Sequence, residues 1–260
     1  MLPLRSLAFQ IAFHVNILLW ITICVPSLLM HRKVTLELGR KWGRTSLWLL
    51  AKICDLKVEY RGLENIPAGP LIVACKHQSV WETMVLPIKF DDYSYILKKE
   101  LIFVPLLGWY FLAAEQIAID RSKGARILRQ ISTKVKLLFA QGRQLFIFPE
   151  GTRRPAGAPA AYKRGIVHLY CDTGAHVMPV ALNSGVFWPR RSFIIRPGTV
   201  VINFLPVIAP GLGAQEFFDK LKNSIEEASD GLIAEAVAQD HSLATVVEQN
   251  RRLREKEYNV

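Results

Sequence analysis

Hydrophobic and polar positions follow two different patterns along the chain. Residues 6–30 contain no charged side chain and are mostly apolar. A helix of that length would be roughly 36 Å long, enough to cross the ~30 Å hydrocarbon core of a bilayer with some tilt. Beyond about residue 55, short apolar runs alternate with amphipathic segments. The pattern therefore predicts an apolar N-terminal helix followed by a domain of strands and helices.

The short apolar runs after residue 55 predict seven strands. They lie at residues 57–61, 71–75, 95–98, 116–119, 145–148, 177–182 and 200–206. Apolar residues at helical spacing predict amphipathic helices at residues 124–141 and 214–232. Strands that alternate with helices indicate an α/β fold, with a mostly parallel central sheet flanked by helices.

The apolar N-terminal segment is predicted to be a membrane anchor. Basic residues are denser after the apolar run, between His31 and Arg44, than before it, where Arg5 stands alone. This imbalance favours a cytosolic position for the downstream chain. Residues 42–54 form a second, amphipathic and basic stretch. One spanning helix and a monotopic pair of helices in a single leaflet are both compatible with this pattern, as is a helix buried in a soluble fold.

Composition limits the classes of partner. The 260 residues carry a formal net charge of +11, and six of these charges fall in residues 1–61. Basic residues beside apolar runs point to anionic membrane lipids, and the sequence has no recognised nucleic-acid-binding motif, so we expect no nucleic acid partner. A non-enzymatic basic membrane-binding protein is one reading of this charge. The four cysteines form no CxxC pair, so we expect no metal site and reduced thiols.

Polar and reactive residues follow four of the predicted strands directly. These segments begin at Lys76, Asp120, Pro149 and Asn183. In an open α/β sheet the carboxyl ends of parallel strands gather at one edge, where ligands bind. Four segments that are remote in sequence can therefore line one cleft, which favours an enzyme.

His77 and Glu82 are the candidate catalytic pair. Five residues apart on a regular helix, they would point about 140° away from each other. They can meet if His77 lies in the strand-to-helix loop and Glu82 in the first helical turn. The carboxylate would then orient the imidazole, which could take a proton from a substrate hydroxyl. An esterase that uses Ser79 or Ser184 as nucleophile is an alternative, although the sequence has no GxSxG elbow.

A second constellation, Phe-Pro-Glu-Gly-Thr-Arg-Arg, begins at residue 148. Gly151 allows a ligand to approach the backbone closely, and Arg153 can bind a phosphate through its planar fork. Glu150 can accept bonds from a substrate hydroxyl or hold an arginine. Arg121 is a further candidate cation, at the end of another predicted strand. The spacing fits a phosphate-binding turn, and it equally fits a surface turn with solvated charges.

These motifs resemble those of the glycerolipid acyltransferase superfamily, in particular its lysophosphatidic acid acyltransferases. The first motif of that family, His and Asp separated by four residues, is similar to His77–Glu82. The third, Phe-Pro-Glu-Gly-Thr-Arg, is matched without change from residue 148, and the fourth is similar to the segment around Pro179. The second keeps only Ile119 and Arg121. Glu82 and Lys76 depart from the usual Asp and Asn of the family, which bears on substrate preference.

The resemblance implies an activity and its site residues. The enzyme would move a fatty acyl group from acyl-CoA or acyl-carrier protein to the sn-2 hydroxyl of 1-acyl-glycerol-3-phosphate, giving phosphatidic acid without a cofactor. His77 and Glu82 would be catalytic, and the substrate-binding residues would be Arg121, Glu150, Gly151, Thr152 and Arg153. A related lysophospholipid or lyso-ornithine-lipid acyltransferase is the neighbouring alternative.

The resemblance and the charge pattern together imply an organisation of the chain. Residues 1–55 are expected to form the membrane anchor, residues 56–240 the catalytic domain and residues 241–260 a polar tail. The expected location is the bacterial inner membrane, with the catalytic domain facing the cytosol.

Overall fold

The computed structural model describes residues 1–120 and 126–258 of the chain. Its helices are α1 Leu2–Ile23, α2 Arg32–Leu49, α3 Trp81–Val85, α4 Leu107–Ala113, α5 Arg126–Ala140, α6 Gly165–Thr173, α7 Ser184–Phe187, α8 Ala214–Gln239 and α9 Leu243–Tyr258. Its strands are β1 Leu56–Arg61, β2 Leu71–Cys75, β3 Tyr93–Lys98, β4 Ile117–Ile119, β5 Gln144–Ile147, β6 Val177–Leu182 and β7 Gly198–Phe204. Short 3-10 turns at Val25–Leu29 and Lys99–Phe103 and a π-helical turn at Leu50–Cys54 connect some of these elements.

The strands of the described chain form one seven-stranded sheet in the order β1-β7-β6-β2-β5-β3-β4. Strands β6, β2, β5, β3 and β4 pair in parallel, whereas β6 and β7 pair antiparallel. Since β1 pairs in parallel with β7, these two strands run opposite to the other five. The carboxyl ends of the five parallel strands therefore share one edge. The predicted α/β fold with a mostly parallel sheet is confirmed.

The central strand β2 shows why the sheet lies inside the molecule. All five of its residues are apolar and buried, as is typical of parallel strands covered on both faces. Alternate side chains enter different clusters: Val73 and Cys75 pack with α1, α2 and α3, whereas Ile72 and Ala74 pack with α5, α6 and α8. The result is a sheet between two helical layers, with the N-terminal helices forming part of one layer.

Helices α1 and α2 form a hairpin. The apolar run was expected to extend to residue 30, but α1 ends at Ile23, and Pro26 lies in the 3-10 turn that follows. Proline has no backbone N–H and cannot continue a helical hydrogen-bond ladder. Asn16 and Trp20 of α1 donate side-chain hydrogen bonds to hydroxyls on α2. Of the described helices, only α1 is long and apolar enough to cross a membrane.

A close approach joins the hairpin to the helix that carries Glu82. At Gly43 of α2, a Cβ atom would lie 2.6 Å from the carbonyl oxygen of Met84 in α3. That separation is shorter than a van der Waals contact, so the seam between α2 and α3 requires glycine. The C-terminal helix α9 also packs on the fold, since Leu243, Val246 and Val247 are buried.

Predicted and observed limits agree closely for most elements. The strands at 71–75 and 177–182 have the predicted limits, and β3 begins two residues earlier than expected. Helix α5 ends at Ala140, one residue before its predicted end. The largest difference is α8, which continues seven residues beyond 232, because Leu232, Ile233 and Ala236 extend its buried face.

Candidate active site

His77 and Glu82 meet at the carboxyl edge of the sheet. His77 lies in the loop after β2, and Glu82 lies in the first turn of α3. The two side chains are 2.8 Å apart, from Nδ1 to Oε1. Because a carboxylate can only accept, Nδ1 carries the proton and donates it, and Nε2 is left as the acceptor nitrogen of the ring. The predicted contact between the two side chains is present.

The Glu82 carboxylate is fully buried and held by several donors. Besides the imidazole, Oε1 accepts from the backbone N–H groups of Gln78 (2.6 Å) and Ser79 (2.7 Å). The other oxygen, Oε2, accepts from the hydroxyl of Ser184 at 2.8 Å. Ser184 begins α7 and lies 102 positions further along the chain. Each carboxylate oxygen thus has a donor, which compensates for the loss of water.

The loop after β5 fixes the other side of the imidazole. The Phe148 ring stacks on the His77 ring with 3.9 Å between centroids. The backbone N–H of Arg154 donates to the carbonyl oxygen of His77 at 2.7 Å, which ties the two loops together. Rotation of the imidazole is therefore restricted by a ring contact and by its bond to Glu82.

A cavity of about 380 Å³ opens beside His77. Most of its wall is apolar, formed by side chains of β3, β4, β5, α5 and α6, including Ile96, Ile119 and Ile166. His77, Gly151 and Lys163 contribute the polar part of the lining. An apolar cavity with a few polar groups at one end suits a ligand with a long hydrocarbon portion and a reactive end.

The loop after β5 carries two cations, Arg153 in its turn and Lys163 just before α6, and Lys163 lines the cleft. Gly151 adopts a left-handed backbone conformation (φ +69°), and the Lys163 side chain lies against it. Within the described residues Arg153 has no acidic partner, and its carbonyl oxygen accepts a bond from the Arg190 side chain. Thr152 is exposed. Lys163 therefore offers a positive charge at the cleft, and Arg153 lies on the turn next to Gly151.

Glu150 is placed differently from its neighbours in the turn. Its carboxylate is buried beneath the site, where Oε1 lies 3.2 Å from Nζ of Lys76 and 3.8 Å from Nε of Arg154. Lys76 also contacts Glu226 of α8 at 2.5 Å. Burial raises the pKa of the Glu150 carboxyl, Lys76 acts to lower it, and Glu226 adds to the rise. The sequence predicted that Glu150 binds a substrate hydroxyl or an arginine. In the structure its nearest cation is Lys76, and Arg154 lies slightly further away.

The alternative nucleophiles are buried and engaged. Ser79 is 1% exposed and its hydroxyl accepts from the backbone N–H of Trp81, while the Ser184 hydroxyl donates to Glu82. Burial raises the pKa of the Cys75 thiol well above its usual value, and the Glu82 charge adds to the rise. A buried neutral thiol is a poor nucleophile. The geometry therefore does not favour an esterase built on these groups.

The structure brings most of the expected site residues to one edge of the sheet. His77, Glu82, Gly151 and Arg153 surround the cleft or its turn, whereas Arg121 lies outside the described residues. Sequence reasoning missed two participants. Lys163 was not among the predicted substrate-binding residues, and Ser184 was considered only as a nucleophile. Its place directly after a buried strand was the one signal of a role at this edge.

A three-layer α/β fold with an imidazole–carboxylate pair beside an apolar cavity is typical of acyl-transfer enzymes that act on lipids. Residues 57–183 match the family described as Acyltransferase. The 1-acyl-sn-glycerol-3-phosphate acyltransferase of Pseudomonas aeruginosa is 32% identical over 238 residues, 91% of each chain. A mouse enzyme, 1-acyl-sn-glycerol-3-phosphate acyltransferase alpha, is 25% identical over 77% of this chain and 72% of its own.

A solved structure has the same fold. The 1-acyl-sn-glycerophosphate (LPA) acyltransferase PlsC of Thermotoga maritima superposes with a TM-score of 0.74 at 25% identity, covering 89% of this chain and 98% of that one. The chain belongs to the acyltransferase family, as the His77–Glu82 motif and the turn at residues 148–153 predicted.

Proposed function

We propose that the chain transfers a fatty acyl group from a thioester donor to the sn-2 hydroxyl of 1-acyl-glycerol-3-phosphate, giving phosphatidic acid for phospholipid biosynthesis. The observation that carries this proposal is the 2.8 Å contact between His77 and Glu82 at the mouth of an apolar cavity, with Arg153 and Lys163 on the adjoining turn. A base, an apolar cavity and cations suit acyl transfer to the hydroxyl of a lipid that carries a phosphate.

His77 is the base in this proposal and Glu82 orients it. The Nε2 atom takes the proton of the glycerol hydroxyl while the oxygen forms a bond to the thioester carbonyl carbon. The tetrahedral intermediate then collapses, the carbon–sulfur bond breaks, and the imidazolium returns the proton to the leaving thiolate. Glu82 stabilises the imidazolium between these two steps. General base catalysis of this kind contributes about 10²–10⁴-fold.

Phosphate recognition is assigned to the turn after β5. Arg153 donates to the phosphate, Lys163 supplies a second positive charge, and Gly151 and Thr152 let the headgroup approach the backbone. Arg121, which follows β4 in the sequence and lies outside the described residues, is proposed as a further phosphate ligand. Glu150 shapes this pocket from below through its bonds to Lys76 and its proximity to Arg154.

The membrane arrangement that we propose is monotopic. Near its start, α1 contacts the rest of the fold through Ser6, whose hydroxyl accepts from the backbone N–H of Ile195. Near its end, the carbonyl oxygen of Ile21 accepts from the hydroxyl of Tyr110. These two points are separated by roughly 23 Å of helix. A helix crossing a bilayer would leave one end on the far side, so contacts at both ends support a helix lying in one leaflet.

The three expected units are retained in this proposal. Residues 1–55 attach the enzyme to the membrane, residues 56–240 carry the chemistry and residues 241–260 form the tail. The basic residues that follow α1 favour an anionic leaflet and the cytosolic side of a bacterial inner membrane. Acyl-CoA and acyl-carrier protein are both candidate donors, and lysophosphatidic acid is the acceptor.

The test is a transfer assay with the purified full chain in detergent or vesicles. Acyl-CoA and acyl-carrier-protein donors are each paired with lysophosphatidic acid, lysophosphatidylcholine and lyso-ornithine lipid. We expect transfer to lysophosphatidic acid, lost in His77→Ala and kept in the control His176→Ala, whose histidine is exposed. Preferred transfer to a lyso-lipid without a phosphomonoester would overturn the headgroup assignment. Normal turnover in a folded His77→Ala variant would overturn the base assignment.

A further inference from the structure

A surface of the catalytic domain exposes large apolar side chains without a partner in the described fold. Between residues 99 and 113, Phe103 is 70% exposed, Trp109 55% and Leu112 58%. Single exposed apolar side chains are ordinary on protein surfaces, but several in one short segment mark an interaction site. The segment is compact, because a methyl group at Gly108 would collide with the carbonyl oxygen of Ile102.

This segment lies beside the end of the α1–α2 hairpin. The Tyr110 hydroxyl donates to the Ile21 carbonyl oxygen, and Leu107, Tyr110 and Phe111 face Ile17, Trp20 and Ile21 across an apolar cavity of about 300 Å³. At the end of the hairpin, Leu29 is 95% exposed, and Val25 and Met30 are also exposed. We call the exposed apolar residues of 25–30 and 99–113 together the tip patch. The Tyr110 bond holds the catalytic-domain half against the end of α1, and α4 also contacts the turn at Val25–Leu29.

The charged residues around the tip patch indicate what kind of partner binds there. Lys98, Lys99 and Glu100 are exposed at the start of the catalytic-domain half, and Lys33 is exposed three residues after the hairpin half, so the net charge of these four side chains is positive. Lysine heads beside apolar side chains match the phosphates and acyl chains of an anionic leaflet. The exposed apolar face of α1, which includes Leu18 and Ile23, continues the same surface.

We propose that residues 99–113 insert into the leaflet together with the hairpin, so that the catalytic domain supplies a bilayer contact of its own. This inference rests on the proposed membrane attachment of α1, which it extends to a segment outside the anchor. The partner is a lipid surface that contains anionic headgroups. The contact fixes the position of the cleft relative to the membrane, because residues 114–120 lead from α4 through β4, which lines the cavity beside His77.

The first experiment compares two variants of the full chain. One carries Phe103→Ser, Trp109→Ser and Leu112→Ser. The control carries Leu137→Ser, a substitution of a 63%-exposed leucine on α5. Both are sedimented with vesicles of phosphatidylcholine containing about 30% phosphatidylglycerol. We expect the triple variant to partition at least about tenfold more weakly than wild type, the loss being greatest in anionic vesicles, and the control to match wild type.

The second measurement uses one conservative substitution and does not depend on the triple variant folding. Tryptophan fluorescence of wild type and Trp109→Phe is quenched by brominated lipids. We expect a smaller quenchable fraction in Trp109→Phe; an unchanged fraction, together with wild-type partitioning of the triple variant, overturns the proposal. The triple variant could instead bind vesicles as wild type does but lose a dimer that wild type forms on size-exclusion chromatography. That result would overturn the proposal and identify a second copy of the chain as the partner of the tip patch.

Transfer to a short-chain, water-soluble lysophosphatidic acid separates this proposal from the proposed function. If wild type transfers acyl groups to no lyso-lipid, the proposed activity is wrong. The partitioning experiment then still shows whether the tip patch binds the membrane. If the triple variant keeps the wild-type rate with the soluble acceptor and loses activity only in vesicles, the loss comes from bilayer contact.

Discussion

Two buried glutamates lie at neighbouring strand ends, and their partners differ in kind. Glu82 is held by an imidazole, two backbone N–H groups and the hydroxyl of Ser184. Glu150 is held by the Lys76 ammonium, with Arg154 nearby. Neutral donors fix the direction of a carboxylate and leave its charge available to the imidazole. A cation neutralises the carboxylate and ties its loop to the rest of the fold.

The comparison assigns different work to two residues that look alike in the sequence. Substitution of Glu82 should chiefly lower kcat, since Glu82 orients His77. Substitutions of Glu150 or its partner Lys76 should chiefly change the free energy of unfolding. Lys76 joins the ends of β2 and β5 to Glu226 on α8. Four predictions test this division.

Glu82→Gln should produce the largest effect. The amide keeps the shape of the side chain but carries no negative charge to stabilise the imidazolium. We expect kcat to fall on the order of 10³–10⁴-fold, with the circular dichroism spectrum and Tm in detergent close to wild type. A loss of Tm that accounts for the lost activity would instead make Glu82 a structural residue.

Lys76→Met should have the largest effect on stability. It leaves the Glu150 and Glu226 carboxylates facing each other without their shared cation, and breaking a buried ion pair in this way costs about 3–5 kcal/mol. The matched control is Lys136→Met, which removes an exposed pair with Asp172 and should leave Tm close to wild type because solvent screens such pairs. Thermal unfolding measures the Tm of both variants, and an equal loss in the two would contradict a special role for the buried Lys76 pair. Adding Glu150→Gln to Lys76→Met should recover part of the loss.

Ser184→Ala should lower kcat about tenfold, because it removes one hydrogen bond to a charged group. In a Glu82→Asp background, where the shorter carboxylate cannot reach His77 and Ser184 together, the same substitution should have a smaller effect. Ser229→Ala, at a buried serine without a bond to Glu82, is the control. Equal losses in both backgrounds would show that Ser184 does not act through Glu82.

Glu150→Gln should have the smallest effect, and it should depend on pH. Burial holds the pKa of the Glu150 carboxyl above its ordinary value of 4.5 despite Lys76. The folded state therefore keeps this proton where the unfolded chain has released it, and the free energy of unfolding falls as the pH rises from 4.5 through the raised pKa. Relative to wild type, the variant should gain in Tm as the pH is raised from 4.5 to 7.5. An identical pH dependence would exclude Glu150 as the cause.

The elements of this fold could be predicted because their signals are local. Continuous apolar runs such as β2 and the helical spacing of Ile131, Val135 and Leu138 in α5 are visible within a few residues. The opposite direction of β1 and β7 could not be predicted, since strand direction depends on the path of connecting segments. The end of α1 at Ile23 was missed because hydropathy alone continued to Met30 while Pro26 stopped the helix.

The site was predictable where its residues share one loop. His77 and Glu82 are five positions apart, and their meeting followed from a loop-then-helix geometry. Ser184 and Glu226 reach the same site from 102 and 150 positions away from their partners. No spacing rule connects such residues, because only the packed sheet brings their loops together. The same limit applied to Glu150, whose contact with Lys76 spans 74 positions.

The glycine seam between α2 and α3 has a mechanical consequence. With backbone against backbone at Gly43, no flexible side chain separates the α1–α2 hairpin from the helical turn that carries Glu82. The hairpin and the imidazole cleft are therefore rigidly coupled at this seam. In the proposed membrane arrangement, the distance from the leaflet to the reacting hydroxyl is therefore set by this seam and not by a flexible tether.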